Sequence, residues 1–222
     1  MKHQTSFKLY RYWTRMRGDR LAPRRSEIEP ADIREILAET FVLNADTEMA
    51  YRYRLAGSRA SAPYCRELKG RDFLSLWSGN DARAMETLLQ GVCEDAAAAV
   101  VGWEGGNLRG QTLMFETLLL PLETEHGRYE RILGSTAAAD TPYWLGIHPV
   151  IEQSIVSLRM IWPNEAASEQ ADAEAPVAFK PAASDPAPAL TLDPRTGQIA
   201  RRRGHLLVYD GGREPETADL HA

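Results

Sequence analysis

Two cysteines, Cys65 and Cys93, and five histidines, His3, His126, His148, His205 and His221, are the side chains best suited to hold a metal or attack a substrate. Their spacing builds no site. The cysteines lack the paired spacing of a disulfide framework or a four-ligand zinc centre. No His-Glu-x-x-His, Cys-x-x-Cys or Gly-x-Ser-x-Gly pattern occurs. The glycine-rich run 102–110 suggests a phosphate cradle, but it lacks a following helix and the Lys-Ser/Thr pair of a P-loop, so a connection between two strands is expected. Glu116, Glu123 and Glu130 are expected to pair across a hairpin with Arg128 or Arg131 rather than to do acid–base work. Both cysteines read as small buried side chains, and His126 as a solvated loop histidine. What remains is binding chemistry, and no enzyme is expected.

The elements that must position such a binding site are few. The 222 residues, 44% hydrophobic, suffice for one core plus a tail, and a net charge of −5 disfavours nucleic acid as a general partner. A basic leader runs against that average: Lys2, Lys8, Arg11, Arg15, Arg17, Arg20, Arg24 and Arg25 face one acid, Asp19. No stretch is long and apolar enough to span a bilayer and the leader has no apolar signal core, so a cytoplasmic protein is expected.

Residues 5–19 read as an amphipathic helix with Leu9, Tyr12, Trp13 and Met16 on one stripe. A short second helix opens at Glu29-Pro30 and carries Ile33, Ile36 and Leu37. Residues 40–45 and 51–56 read as a hairpin, with Tyr51 and Tyr53 alternating against Arg52 and Arg54. Short helical pieces around Gly70 precede a helix over 80–97, whose stripe is Met85, Leu88, Leu89, Val92, Cys93 and Ala96. Strands are expected over 98–103, 112–122 and 129–138, and the segment 149–162 is of mixed character. The expected division is a helical leader and cap over 1–38, a domain over 39–162, and a disordered linker and tail over 163–222 with a short strand at 205–209.

Trp13, Arg17-Gly18, Pro23-Arg24-Arg25, Glu29-Pro30, Arg54 to Gly57, Glu67-Leu68 with Gly70, Asp72-Phe73 and Leu120-Pro-Leu122 together resemble the alphaproteobacterial family of small single-PAS-domain proteins, over about residues 10–139. The resemblance implies an α+β fold: a five-stranded antiparallel sheet with helices over one face, preceded by an amphipathic helix and followed by a flexible tail. It implies a signalling module that forms homodimers, docks a partner such as a histidine kinase, or binds a small molecule between sheet and helices. Such a pocket would be lined by Tyr53, Phe73, Trp77, Met85, Leu89, Phe115 and Ser135, and a filled core without a cavity is the competing expectation. The interaction helix would use Leu9, Tyr12, Trp13 and Met16, and its basic face could instead meet nucleic acid or anionic lipid. No cofactor is expected. Flavin chemistry is disfavoured because Gly70-Arg71 leads to Phe73 where the photosensor subclass places its cysteine, and haem because no histidine lies between Gly57 and Ala97.

Overall fold

A computed structural model describes residues 1–45, 50–125, 127–163, 190–192, 199–203 and 206–209. The first of its two compact units, Met1–Glu174, holds a six-stranded antiparallel sheet. Its strands are β1 (Thr40–Ala45), β2 (Tyr51–Ala56), β3 (Ala98–Asn107), β4 (Thr112–Leu122), β5 (Arg131–Ala138) and β6 (Val150–Ile161), arranged in the order β2-β1-β5-β4-β3-β6. The helices are α1 (Gln4–Arg17), α2 (Ser58–Ser61) and α3 (Gly79–Glu94), with short 3-10 turns between them. The second unit, Ala175–Ala222, contains β7 (Leu190–Leu192), β8 (Ile199–Arg203) and β9 (Leu206–Tyr209), paired antiparallel in chain order. The rest of the expected tail, with the turn at 46–49, His126, His205 and His221, lies outside the described residues.

The sheet carries hydrophobic side chains on both faces because both are covered. On one face α3 lays Met85, Leu88, Leu89 and Val92 against Leu43, Tyr53, Val101, Phe115 and Ile132. On the other, Leu9, Tyr12 and Trp13 of α1 meet Val42, Val100, Leu118, Leu120 and Leu133. Each such buried side chain contributes about 1.5–3 kcal/mol. The stripe of α1 therefore finds its partner within the chain.

Several expectations are corrected. The sheet has six strands, not five: β6 pairs along β3 from Ala98↔Ile161 to Asn107↔Val150, with bulges where the register skips Val156 and Ile151. Those bulges break the period-two pattern that would have marked the strand. β3 runs through the glycine-rich segment to Asn107, so most of 102–110 is strand and the connection is 108–111. The expected second helix is a series of 3-10 turns at Arg25–Glu27, Pro30–Ile33 and Leu37–Glu39. Of the glutamates expected to pair with Arg128 or Arg131, Glu130 does meet Arg128 (2.8 Å), whereas Glu116 accepts from the Lys2 and His3 N–H groups (2.6 and 3.0 Å) and Glu123 faces Arg24 (3.8 Å). Cys65 is exposed, on a left-handed backbone (φ 49°), whereas Cys93 is partly buried.

Candidate functional site

The site begins with ring packing on the α3 side of the sheet. Phe41 of β1 lies directly over Gly134 of β5, its paired neighbour, and a Cβ at 134 would collide with the ring. From Phe41 the rings run in contact: Tyr53 at 5.4 Å, Phe73 at 6.0 Å, Phe73 to Trp77 at 6.3 Å, Trp77 edge-on to Trp103 at 5.7 Å, and Trp103 stacked on Phe115 at 4.2 Å. Edge and offset contacts of this kind add to the hydrophobic burial of the rings. Trp103 is also fixed by its indole N–H, which donates to Thr117 Oγ1 (2.9 Å); that hydroxyl pairs with Thr136 Oγ1 (2.9 Å).

Six of the seven residues expected to line a pocket, Tyr53, Phe73, Trp77, Met85, Leu89 and Phe115, come together in this layer, each at most 7% exposed. Ser135 does not join them. Alternation along β5 puts Ile132 on the α3 side and Leu133 on the α1 side, so Ser135, opposite Leu118, faces α1. Sequence reasoning missed Phe41 and Trp103. The available signal was Gly134, since a glycine inside a strand marks a close approach. Burial pushes the Tyr53 hydroxyl pKa well up and that of Tyr51 to about 12, so both phenols stay neutral. Within the ring layer, Trp77 Nε1 is buried without a hydrogen-bond partner, as is Ser135 Oγ on the opposite face of the sheet.

The helical side is stitched to β6. Asp81, in the first turn of α3, accepts from the Ile155 N–H (2.9 Å). Gln153 accepts from the Tyr64 hydroxyl (3.0 Å) and donates to the Leu76 carbonyl.

The motif residues of the sequence mostly act as staples. Trp13 donates its indole N–H to the Pro121 carbonyl (2.8 Å), and Arg17 lies over the Trp13 ring at 5.3 Å. The Glu29 N–H donates to the Tyr12 hydroxyl (2.9 Å). Residues 23–25 run beside Glu123, with bonds Arg25 N–H to Glu123 O and Glu123 N–H to Pro23 O. Asp72 accepts from the Tyr51 and Leu74 N–H groups, each at 3.2 Å. Gly57 sits so near the Ala38 and Leu37 carbonyls that no Cβ fits.

Of the expected interaction stripe, Leu9, Tyr12 and Trp13 are core residues and Met16 is partly buried against them. The outer face of α1 is basic. Beside it a surface groove of about 610 Å³ is lined by Lys8, Arg11, Tyr12, Arg15 and residues 31–36. Lys8 is bonded to Glu35 (2.9 Å), which lowers the Glu35 pKa. Among the described residues no cluster of three His, Cys, Asp or Glu could hold a metal, and no helix is long and apolar enough to cross a membrane.

Comparison with known proteins gives one family. The model of PAS_5, PAS domain, matches residues 1–137, so β6 lies beyond the matched segment. No curated protein matches. Solved structures with similarity include the PAS domain of a protein from Colwellia psychrerythraea (12% identity, 50% of this chain and 97% of that one, TM-score 0.35). Another is the PAS domain of an HTR-like protein from Haloarcula marismortui (22% identity, 49% and 90%, TM-score 0.35).

Proposed function

The chain belongs to the PAS_5 family of PAS domains, a class of signalling and sensor modules, and we propose that it works without catalysis, through protein contact. The observation that carries this reading is the ring layer. The space between sheet and α3, where a ligand would lie, holds six rings in contact from Phe41 to Phe115. A signal is then delivered at the surface, to a second copy of the chain or to a signalling protein such as a histidine kinase, in the cytoplasm of an alphaproteobacterium.

Affinity capture of the full-length protein from its native host, with proteins and small molecules both identified by mass spectrometry, tests the reading. A specific signalling partner is the expected result. A stoichiometric metabolite with no protein partner would overturn it. Deleting residues 1–20 would be a poor substitute, because it removes Leu9 and Trp13 from the core.

A second reading, a small-molecule receptor, is favoured by the unmet Trp77 Nε1 donor. Burying such a group unpaired costs about 1–3 kcal/mol, a cost that a ligand acceptor would remove. Ligand occupancy would then shift the populations of conformers that a partner distinguishes.

A further inference from the structure

We infer that the groove along the outer face of α1 docks an acidic polypeptide segment of a partner, gripped by Arg11 and Arg15. The inference rests on the contact-module reading and names the surface and the chemistry of the partner.

Both arginines are exposed, and neither has a carboxylate within 4 Å among the described residues. Each lies over an aromatic ring of its own helix: Arg11 over Phe7 at 5.8 Å and Arg15 over Tyr12 at 5.4 Å. A guanidinium held against a ring has lost part of its rotamer freedom before any partner arrives, and its fork matches a carboxylate in a two-bond grip. Four positions apart on a helix, the two arginines have Cα atoms about 6 Å apart along the axis. That spacing suits two carboxylates one helical turn apart.

The groove supplies the remainder of a peptide site. Its floor includes Tyr12, Ile33 and Ile36, and its cations Lys8, Arg11, Arg15 and Arg34 face only Asp32 and Glu35. Glu35 is already engaged by Lys8.

Two other polyanions fit less well. A lipid surface would take up the apolar stripe of an amphipathic helix, but Leu9 and Trp13 are 0% and 2% exposed beneath the sheet side of α1. Nucleic acid binding draws on extended positive charge, whereas the chain is net −5 and Asp32 projects into the groove.

The test is fluorescence anisotropy of the full-length protein with a labelled alanine-based helical peptide bearing glutamates at i and i+4, against the same peptide with glutamines. The acidic peptide should bind and should weaken as salt rises. Arg11→Glu with Arg15→Glu should weaken it by roughly tenfold or more. Arg11→Lys with Arg15→Lys keeps charge and fold but loses the fork, and should fall between. Circular dichroism checks that both variants are folded. Equal binding of the two peptides, or indifference to both variants, overturns the inference. So does arginine-dependent binding of phosphatidylserine vesicles or single-stranded DNA without peptide binding. A native partner that the Arg11→Glu, Arg15→Glu protein still captures would also overturn it while leaving the contact-module reading in place. Recovery of a metabolite and no protein would overturn that reading instead.

Discussion

Gly134→Ala is the sharpest test of the ring layer. The added Cβ would stand inside the contact distance of the Phe41 ring edge and 2.9 Å from the Leu118 carbonyl oxygen. Phe41 is 1% exposed and is held by Tyr53 and Phe73, so the ring has little room to swing. Overpacking a core costs about 1–3 kcal/mol. One of the two neighbours here is backbone, which no rotamer change can move, so the upper end applies, about 3 kcal/mol. For a chain of this size each kcal/mol lowers Tm by about 2–4 °C, giving a drop of roughly 6–12 °C by calorimetry. Phe41→Leu in the same chain should relieve the clash, making the double variant less destabilised than the sum of the singles by on the order of 1 kcal/mol. A drop under about 2 °C, or simple additivity, would refute the seating of Phe41 on Gly134.

Trp77→Phe removes the unmet indole N–H and keeps a ring between Phe73 and Trp103, so stability measured by urea unfolding should change by less than about 1.5 kcal/mol. A larger loss would mean that the N–H has a partner. In the native protein a thiol reagent at pH 8 should modify Cys65 promptly and Cys93 only on unfolding; two fast thiols would contradict the burial. Burial, followed by the nearby Glu94 and Glu130 charges, raises Cys93 to about 12. The unfolded thiol ionises at about 8.5, so this contribution is intact below that pH and falls as pH climbs toward 12. Unfolding at pH 8 and 9.5 should therefore show wild type losing about 1 kcal/mol more than Cys93→Ala; equal slopes would refute the shift. Asp81→Ala frees the Ile155 N–H on an edge strand that exposes Val156 and Leu158. Size-exclusion chromatography should then show self-association beyond that of wild type, because an open strand edge templates pairing; an unchanged elution profile would count against Asp81 as an edge guard.

The sequence made legible those elements whose pattern has one period and one buried face. Met85, Leu88, Leu89 and Val92 announce α3, Leu9, Tyr12 and Trp13 announce α1, and Tyr51 and Tyr53 against exposed Arg52 and Arg54 announce β2. Where both faces are buried the pattern carries less. In β5, Leu133 and Ser135 turn to α1 while Ile132 and Thr136 turn to α3, and Gly134 between them shows no side chain by which to tell the face. Ser135 therefore reads from sequence as a ring-layer residue although it faces α1. β6 was hidden by its two bulges and by lying at an edge, where Val156 and Leu158 stay exposed. Tyr53, Phe73, Trp77 and Phe115 could be gathered from the expected strand and helix order. Their closure into one layer depends on Phe41 and Trp103, which only the register places.

The proposed output of this PAS domain is a contact made by a polypeptide with a filled core. Native mass spectrometry of the full-length protein purified from its own host tests it most directly. The expected masses are those of the bare chain, of its multiples or of its complex with another protein. A stoichiometric small molecule, released only when the protein is denatured, would contradict it.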